Sequence, residues 1–286
     1  MRHIFTLVLI QLESIVYSNI SYKPLKIKDK IFSFVQAIGL SAINISARLG
    51  PYELKSHSYG NSPRHHLDWY RGDGDNRPVV VFLYGGNWQS GQRSDYRFVA
   101  DALIRMNCDV VIPDYRLYPD VRFADILKDV RQALAFVKDK VSTPIILMGH
   151  SAGAQLGALL ALETDNSDLV AFVGMAGPYD FYPFTEDEHW DLFSPDYEIS
   201  QPINFVSAAA PPFYLLHGED DQRVRRGHSK SLMQKQNEVG GVATREVYKD
   251  MGHVDIILSF SLFHRRGSQV VSDIQSFIAS KLIGVA

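Results

Sequence analysis

The chain has 286 residues, 46% hydrophobic and 21% charged, with a formal net charge of −3 at pH 7. That is ordinary globular composition, and the small negative balance gives no general basic field to draw in nucleic acid or acidic lipid. The single cysteine, Cys108, excludes an intramolecular disulfide framework and a cysteine-based zinc site.

At the start, Met1-Arg2-His3 precedes an apolar run from Ile4 to Leu12. This is the order of a secretory signal. Glu13 follows at once, however, and no small-x-small cleavage site precedes Lys23. The run is also too short to span a bilayer. From Ile31 to Leu49, apolar Ile31, Phe34, Val35, Ile38 and Ile45 suit a helix packed on the domain. Residues 1–50 therefore read as a leader, a poor signal peptide or cap helices. Residues 51–286 read as one domain, with no low-complexity linker and no internal repeat. The compartment, cytoplasmic or exported, turns on whether residues 1–20 are removed.

Two edge strands are expected at Glu53–Ser58 and His65–Tyr70, joined by the turn Tyr59-Gly60-Asn61-Ser62-Pro63. Val79 to Tyr84 is a continuous β-branched and aromatic run, as in a parallel strand buried on both faces. It ends in Gly85-Gly86-Asn87-Trp88, and Phe98, Ala102 and Leu103 follow at helical spacing. Asp109 to Pro113 is the next strand. Phe123, Ile126, Leu127, Val130, Leu134 and Val137 make an amphipathic helix. A strand enters Gly149-His150-Ser151-Ala152-Gly153, and an Ala/Gly/Leu-rich helix leaves it. Further strands are expected at Leu169–Met175, Phe213–Leu216 and Val242–Tyr248, with helices around His228–Glu238 and Ser268–Leu282. This alternation predicts an α/β fold with a mostly parallel sheet covered by helices on both faces. In such sheets, ligands sit beyond the carboxyl ends of the strands.

The segment 177–212 breaks the alternation. It is long for a connection and rich in aromatics, among them Phe181 and Trp190. Its position after a strand makes 178–210 a lid-like segment or pocket wall.

Gly149-x-Ser151-x-Gly153 between strand and helix has the form of a nucleophile elbow, whose glycines relieve crowding where backbone meets backbone. A serine hydroxyl needs a base, and the base needs a carboxylate to hold its tautomer. There are ten histidines, so position must choose among them. His253 follows the last strand, in a loop beside Gly252. His264 sits in a basic helical context, and His65-His66 precede the serine. The acid should lie between Ser151 and His253, after a strand. Glu219, Asp220 and Asp221 all qualify, with Asp180 a weaker competitor. An oxyanion hole needs converging backbone N–H donors. Ala152 and the loop Gly85-Gly86-Asn87 stand where such donors are required.

These motifs, in this order, resemble the α/β-hydrolase esterases of the hormone-sensitive-lipase-like and feruloyl-esterase-like group (BD-FAE-like), and the related kynurenine formamidases. Tyr84-Gly85-Gly86-Asn87-Trp88 is similar to the group's His-Gly-Gly-x-Trp. Asp114-Tyr115-Arg116-Leu117, the elbow, His217-Gly218-x-x-Asp221-x-x-Val224 and Gly252-His253 match its other segments. The resemblance covers about residues 52–282. It implies an α/β-hydrolase fold and a carboxylesterase with the triad Ser151, Asp221 and His253. It assigns the acid to Asp221, which the residues alone leave open. It also implies an oxyanion hole from Gly85, Gly86, Asn87 and Ala152. Trp88, Phe181 and Trp190 are expected to shape a pocket for a small-molecule ester. No metal or organic cofactor is called for. Tyr84 departs from the group's first histidine, a supporting residue, and activity is expected to persist. The rival readings are an arylformamidase, a peptidase of the same fold, disfavoured because no propeller or large accessory domain is present, and a hydrolase fold kept for binding alone. Oligomeric state is left open.

Overall fold

The computed structural model describes residues 43, 44, 47–163 and 168–283. The readings for residues 1–42 lie outside these. Eight strands form one sheet: β1 (Glu53–Ser58), β2 (His66–Arg71), β3 (Val79–Leu83), β4 (Asp109–Pro113), β5 (Ile145–His150), β6 (Leu169–Met175), β7 (Phe213–Gly218) and β8 (Ala243–Tyr248). Their spatial order is β1-β2-β4-β3-β5-β6-β7-β8. β1 and β2 pair antiparallel, as do β2 and β4, and every other neighbouring pair is parallel.

Chemistry follows from this layout. β3, β5 and β7 are buried along their whole length, as strands covered on both faces must be. From β3 the chain steps outward to β4, then crosses back to β5 on the other side. The connections after β3 and β5 thus run in opposite directions, which opens a crevice beyond their carboxyl ends. Register aligns those ends: Leu83 is paired with Gly149, and His150 with Met175.

The helices are α1 (Arg97–Ile104), α2 (Phe123–Lys138), α3 (Ala152–Leu162), α4 (Asp187–Leu192), α5 (Gly227–Glu238), α6 (Asp255–Leu258) and α7 (Gln269–Leu282). Every residue of α3 is buried. Gln155 apart, it is apolar all round, which marks a helix enclosed on all sides. It packs on β3, β5 and β6 beneath the short 3-10 turn Pro202–Phe205.

The structure departs from the sequence expectation in three places. α4 and the 3-10 turns Tyr197–Ser200 and Pro202–Phe205 give internal structure to the 177–212 segment. α6 begins two residues after His253, with Val254 as its N-cap. The surroundings of His264 are turns, not helix: the His264 and Arg265 N–H groups both donate to the Ser261 carbonyl, at 3.0 and 2.9 Å. Among the described residues, no helix is long and apolar enough to cross a membrane.

Candidate active site

The loops after β3, β5, β7 and β8 bring together the residues that the sequence singled out. Ser151 lies between β5 and α3, with φ 55° and ψ −125°, a left-handed conformation that a non-glycine residue adopts only when its surroundings impose it. Its N–H donates to the Met175 carbonyl at 2.9 Å, which pins the turn to the end of β6. The hydroxyl faces His253, with Oγ 2.9 Å from Nε2. On the far side of the ring, Nδ1 lies 2.8 Å from Oδ2 of Asp221. A carboxylate only accepts, so Nδ1 carries the proton and Nε2 presents its lone pair to the serine.

The same contacts separate the candidate acids. Asp221 is buried and reaches His253. Glu219 is turned outward onto Arg226, 3.2 Å away, and Asp180 is exposed. The second oxygen of Asp221 accepts from the Arg223 and Val224 N–H groups, each at 2.9 Å. Burial alone would raise the Asp221 pKa. Hydrogen bonds from His217 and His253, the charge of His253 and the Val224 N–H overcome burial and hold it well below the usual carboxylate range.

The donor loop lies against the serine. A Cβ placed on Gly85 would stand 2.9 Å from the Ser151 Cβ. Gly86 has φ 140°, and Asn87 and Trp88 are left-handed at 54° and 58°. Among the described residues, the Gly86 and Asn87 N–H groups donate to no backbone carbonyl. Ala152 opens α3, so its N–H has no intrahelical acceptor either. These unspent donors flank the serine at the positive end of a helix dipole.

Tyr84 supports this loop. Its hydroxyl donates to Asp114 and accepts from Arg64, both at 2.9 Å. Its ring stacks on Tyr96 and Tyr115, at 5.3 and 4.8 Å between centroids. Burial pushes its phenol well above the ordinary tyrosine range.

The three expected pocket aromatics are placed differently from one another. Phe181 is half-buried and stacks on Trp88 at 5.9 Å. Trp88 is only 3% exposed, edge-on to Phe193 at 5.0 Å. Trp190 is 38% exposed and packs on Tyr182, Phe184 and Tyr197. The first two thus belong to one cluster beside the donor loop, and Trp190 to its outer side. The segment is fastened by Arg122 to Asp191 at 2.6 Å and by Gln89 to Glu188 at 2.7 Å.

Three buried polar residues were not singled out as site residues. His217 reaches the Val224 carbonyl at 2.8 Å and Asp221 at 3.3 Å. Gln155 bonds Trp88 from within α3. The His150 Nε2–H donates to the His253 carbonyl at 3.0 Å. Their sequence signal was a polar side chain inside an otherwise apolar run.

Burial, and then the neighbouring His253, depress the pKa of His150 to about 3 from an ordinary 6.5. The folded chain therefore keeps this imidazole neutral. Between those two values the unfolded chain binds a proton that the folded one refuses. Stability should fall as pH drops from 6.5 toward 3, by up to about 1.4 kcal/mol per pH unit from this group. Urea unfolding at pH 7 and pH 4 checks it: His150→Gln should lose less stability between the two than the wild type does. An equal loss would remove His150 as a cause.

Known proteins are similar in both sequence and architecture. The BD-FAE family model matches residues 67–190, which include the donor loop and Ser151. A probable isoprenylcysteine alpha-carbonyl methylesterase of Arabidopsis thaliana is 26% identical over 267 residues, 79% of this chain and 56% of its own length. A probable carboxylic ester hydrolase of Mycobacterium tuberculosis is 31% identical over 206 residues, 58% of this chain and 48% of its own. The chain thus spans about half the length of these curated relatives. Among solved structures, an esterase of Pyrobaculum calidifontis superposes with a TM-score of 0.74 at 20% identity, covering 97% of this chain and 99% of that one.

Proposed function

We propose that this chain, which has the α/β-hydrolase fold, is a serine hydrolase that cleaves carboxylic esters. One observation carries the reading: the run of contacts from Asp221 through His253 to Ser151, at 2.8 and 2.9 Å, beside unspent backbone donors. Its relatives named as ester hydrolases support the same reaction class.

The chemistry follows from the geometry. Ser151 Oγ attacks the ester carbonyl as His253 Nε2 takes its proton. Asp221 holds the ring and stabilises the imidazolium that forms. The carbonyl oxygen, now an oxyanion, turns toward the N–H groups of Ala152 and of Gly86 or Asn87. His253 then gives its proton to the leaving alcohol, and an acyl-serine remains. Water enters and its oxygen bonds to the acyl carbon as His253 takes its proton; the bond to Ser151 Oγ then breaks, His253 returns the proton to Oγ, and the acid is released.

The aromatic cluster of Trp88, Phe181 and Phe193 stands next to the donor loop, which favours an apolar acyl or aryl group. An arylformamidase would use the same triad on an N-formyl group. A panel of chromogenic short-chain esters and N-formyl anilides separates the two. Higher kcat/KM on the esters is expected, whereas preference for the formyl anilides would overturn the ester reading. Absence of turnover on both, together with no labelling by a fluorophosphonate, would overturn the enzyme reading in favour of a binding role.

A further inference from the structure

α3 is built from alanine, glycine and leucine, with one exception, Gln155. Its side chain is fully buried. An amide in such a place is costly unless both of its ends are bonded, and both are. Oε1 accepts from the Trp88 Nε1–H at 3.1 Å, and Nε2 donates to the Ser200 carbonyl at 2.6 Å. The chain of contacts continues. Gln201 Nε2 donates to Ser200 Oγ at 2.6 Å. Gln201 Oε1 accepts from the Phe181 and Tyr182 N–H groups at 2.7 and 3.1 Å. Phe181 stacks back on Trp88. The network is therefore a closed circuit: donor loop, nucleophile helix, 3-10 turn, aromatic wall, donor loop. Gln155, Ser200 and Gln201 are all buried, where such bonds are strong and a broken one is expensive.

The circuit meets the donor loop at its least relaxed point. Asn87 and Trp88 both hold positive φ, a conformation that persists only when its surroundings over-determine it. The backbone of Trp88 is held by one further bond, from the Tyr118 N–H to its carbonyl at 3.0 Å. The indole bond to Gln155 fixes the other end of the residue.

We propose that Gln155 is the positioning residue of the oxyanion loop, setting the Gly86 and Asn87 amides through Trp88 and tying them to the aromatic wall through Ser200 and Gln201. The proposal rests on the ester-hydrolase reading. Under it, a group seated against Phe181 and the donors that receive the oxyanion belong to one bonded unit.

Gln155→Met removes both bonds at similar volume. It is expected to lower kcat by about 10- to 100-fold, short of the loss of a whole oxyanion donor, with KM within threefold of wild type. The inhibition constant of a trifluoromethyl ketone, which forms an oxyanion on the serine, should rise by the same factor as kcat/KM falls. Trp88→Phe deletes the same bond from the other side and leaves the α3 sequence untouched, so it serves if Gln155→Met does not fold. Where both fold, the double variant should lose little more than either single one. In ¹⁵N spectra of the full chain, the Gly86 and Asn87 amide signals should move in either variant, and the Trp88 indole signal in Gln155→Met. Folded variants with wild-type kcat, wild-type inhibitor affinity and unmoved amides overturn the proposal, as does a loss confined to KM. The two failures are distinguishable. Wild-type protein that turns over no ester sinks the ester reading, while the amide shifts still test the positioning claim. Active wild type with silent variants sinks only the role of Gln155.

Discussion

Asp221→Asn is expected to lower kcat by about ten-thousand-fold with little change in KM. The tautomer of His253 decides the effect. Asp221 accepts the proton-bearing Nδ1 of His253 at 2.8 Å. An asparagine in its place can turn its NH₂ toward that nitrogen while its oxygen keeps the Arg223 and Val224 N–H groups, now bonded at 2.9 Å. The ring then carries its proton on Nε2, the nitrogen that must accept from Ser151. The loop keeps its shape and the base is lost, a pairing worth about this factor where it has been isolated. Steady-state kinetics on a chromogenic ester measure it. Activity within tenfold of wild type would mean that Asp221 is not the acid.

The second large effect is on folding. Gly153→Ala should cost roughly 3 kcal/mol or more, at or beyond the upper end of ordinary overpacking, and should reduce soluble yield. A Cβ on Gly153 would lie 2.1 Å from the Leu83 carbonyl oxygen and 2.4 Å from that of Tyr84. Both are backbone atoms of β3 and the start of the donor loop, so neither can swing aside as a side-chain tip would. β3 and α3 would have to part, and the crevice between β3 and β5 would open with them. Equilibrium urea unfolding gives the number. A loss under 1 kcal/mol would show that the contact between helix and strand yields more readily than this packing implies.

Some of the candidate site was legible in the sequence because local chemistry determines it. The elbow announces itself by glycines on both sides of Ser151, since no Cβ fits there. His253 was legible as a candidate because it stands after the last strand, on the loop that meets Ser151. The choice among Glu219, Asp220 and Asp221 was not legible from the residues. Three adjacent acids in one turn differ only in where the turn points them, and the resemblance to known esterases made the assignment. The pocket aromatics were harder still. Trp88, Phe181 and Trp190 read alike as apolar rings, yet one is buried, one half-buried and one exposed. Their depth depends on how α4 and the 3-10 turns fold over α3. That path was hidden by a stretch whose acids and prolines show no helical period. Gln155 carried a signal of a different kind. A single polar side chain in an enclosed apolar helix must find partners, but the sequence does not say that they are Trp88 and Ser200.

The most direct test of the account is covalent labelling of the native chain with a fluorophosphonate, read by intact mass and peptide mapping, alongside ester hydrolysis by wild type and Ser151→Ala. The account predicts one adduct on the peptide containing Ser151, no adduct on Ser151→Ala, and loss of hydrolysis in that variant. An adduct on another residue, or a Ser151→Ala variant that hydrolyses ester at the wild-type rate, would contradict it.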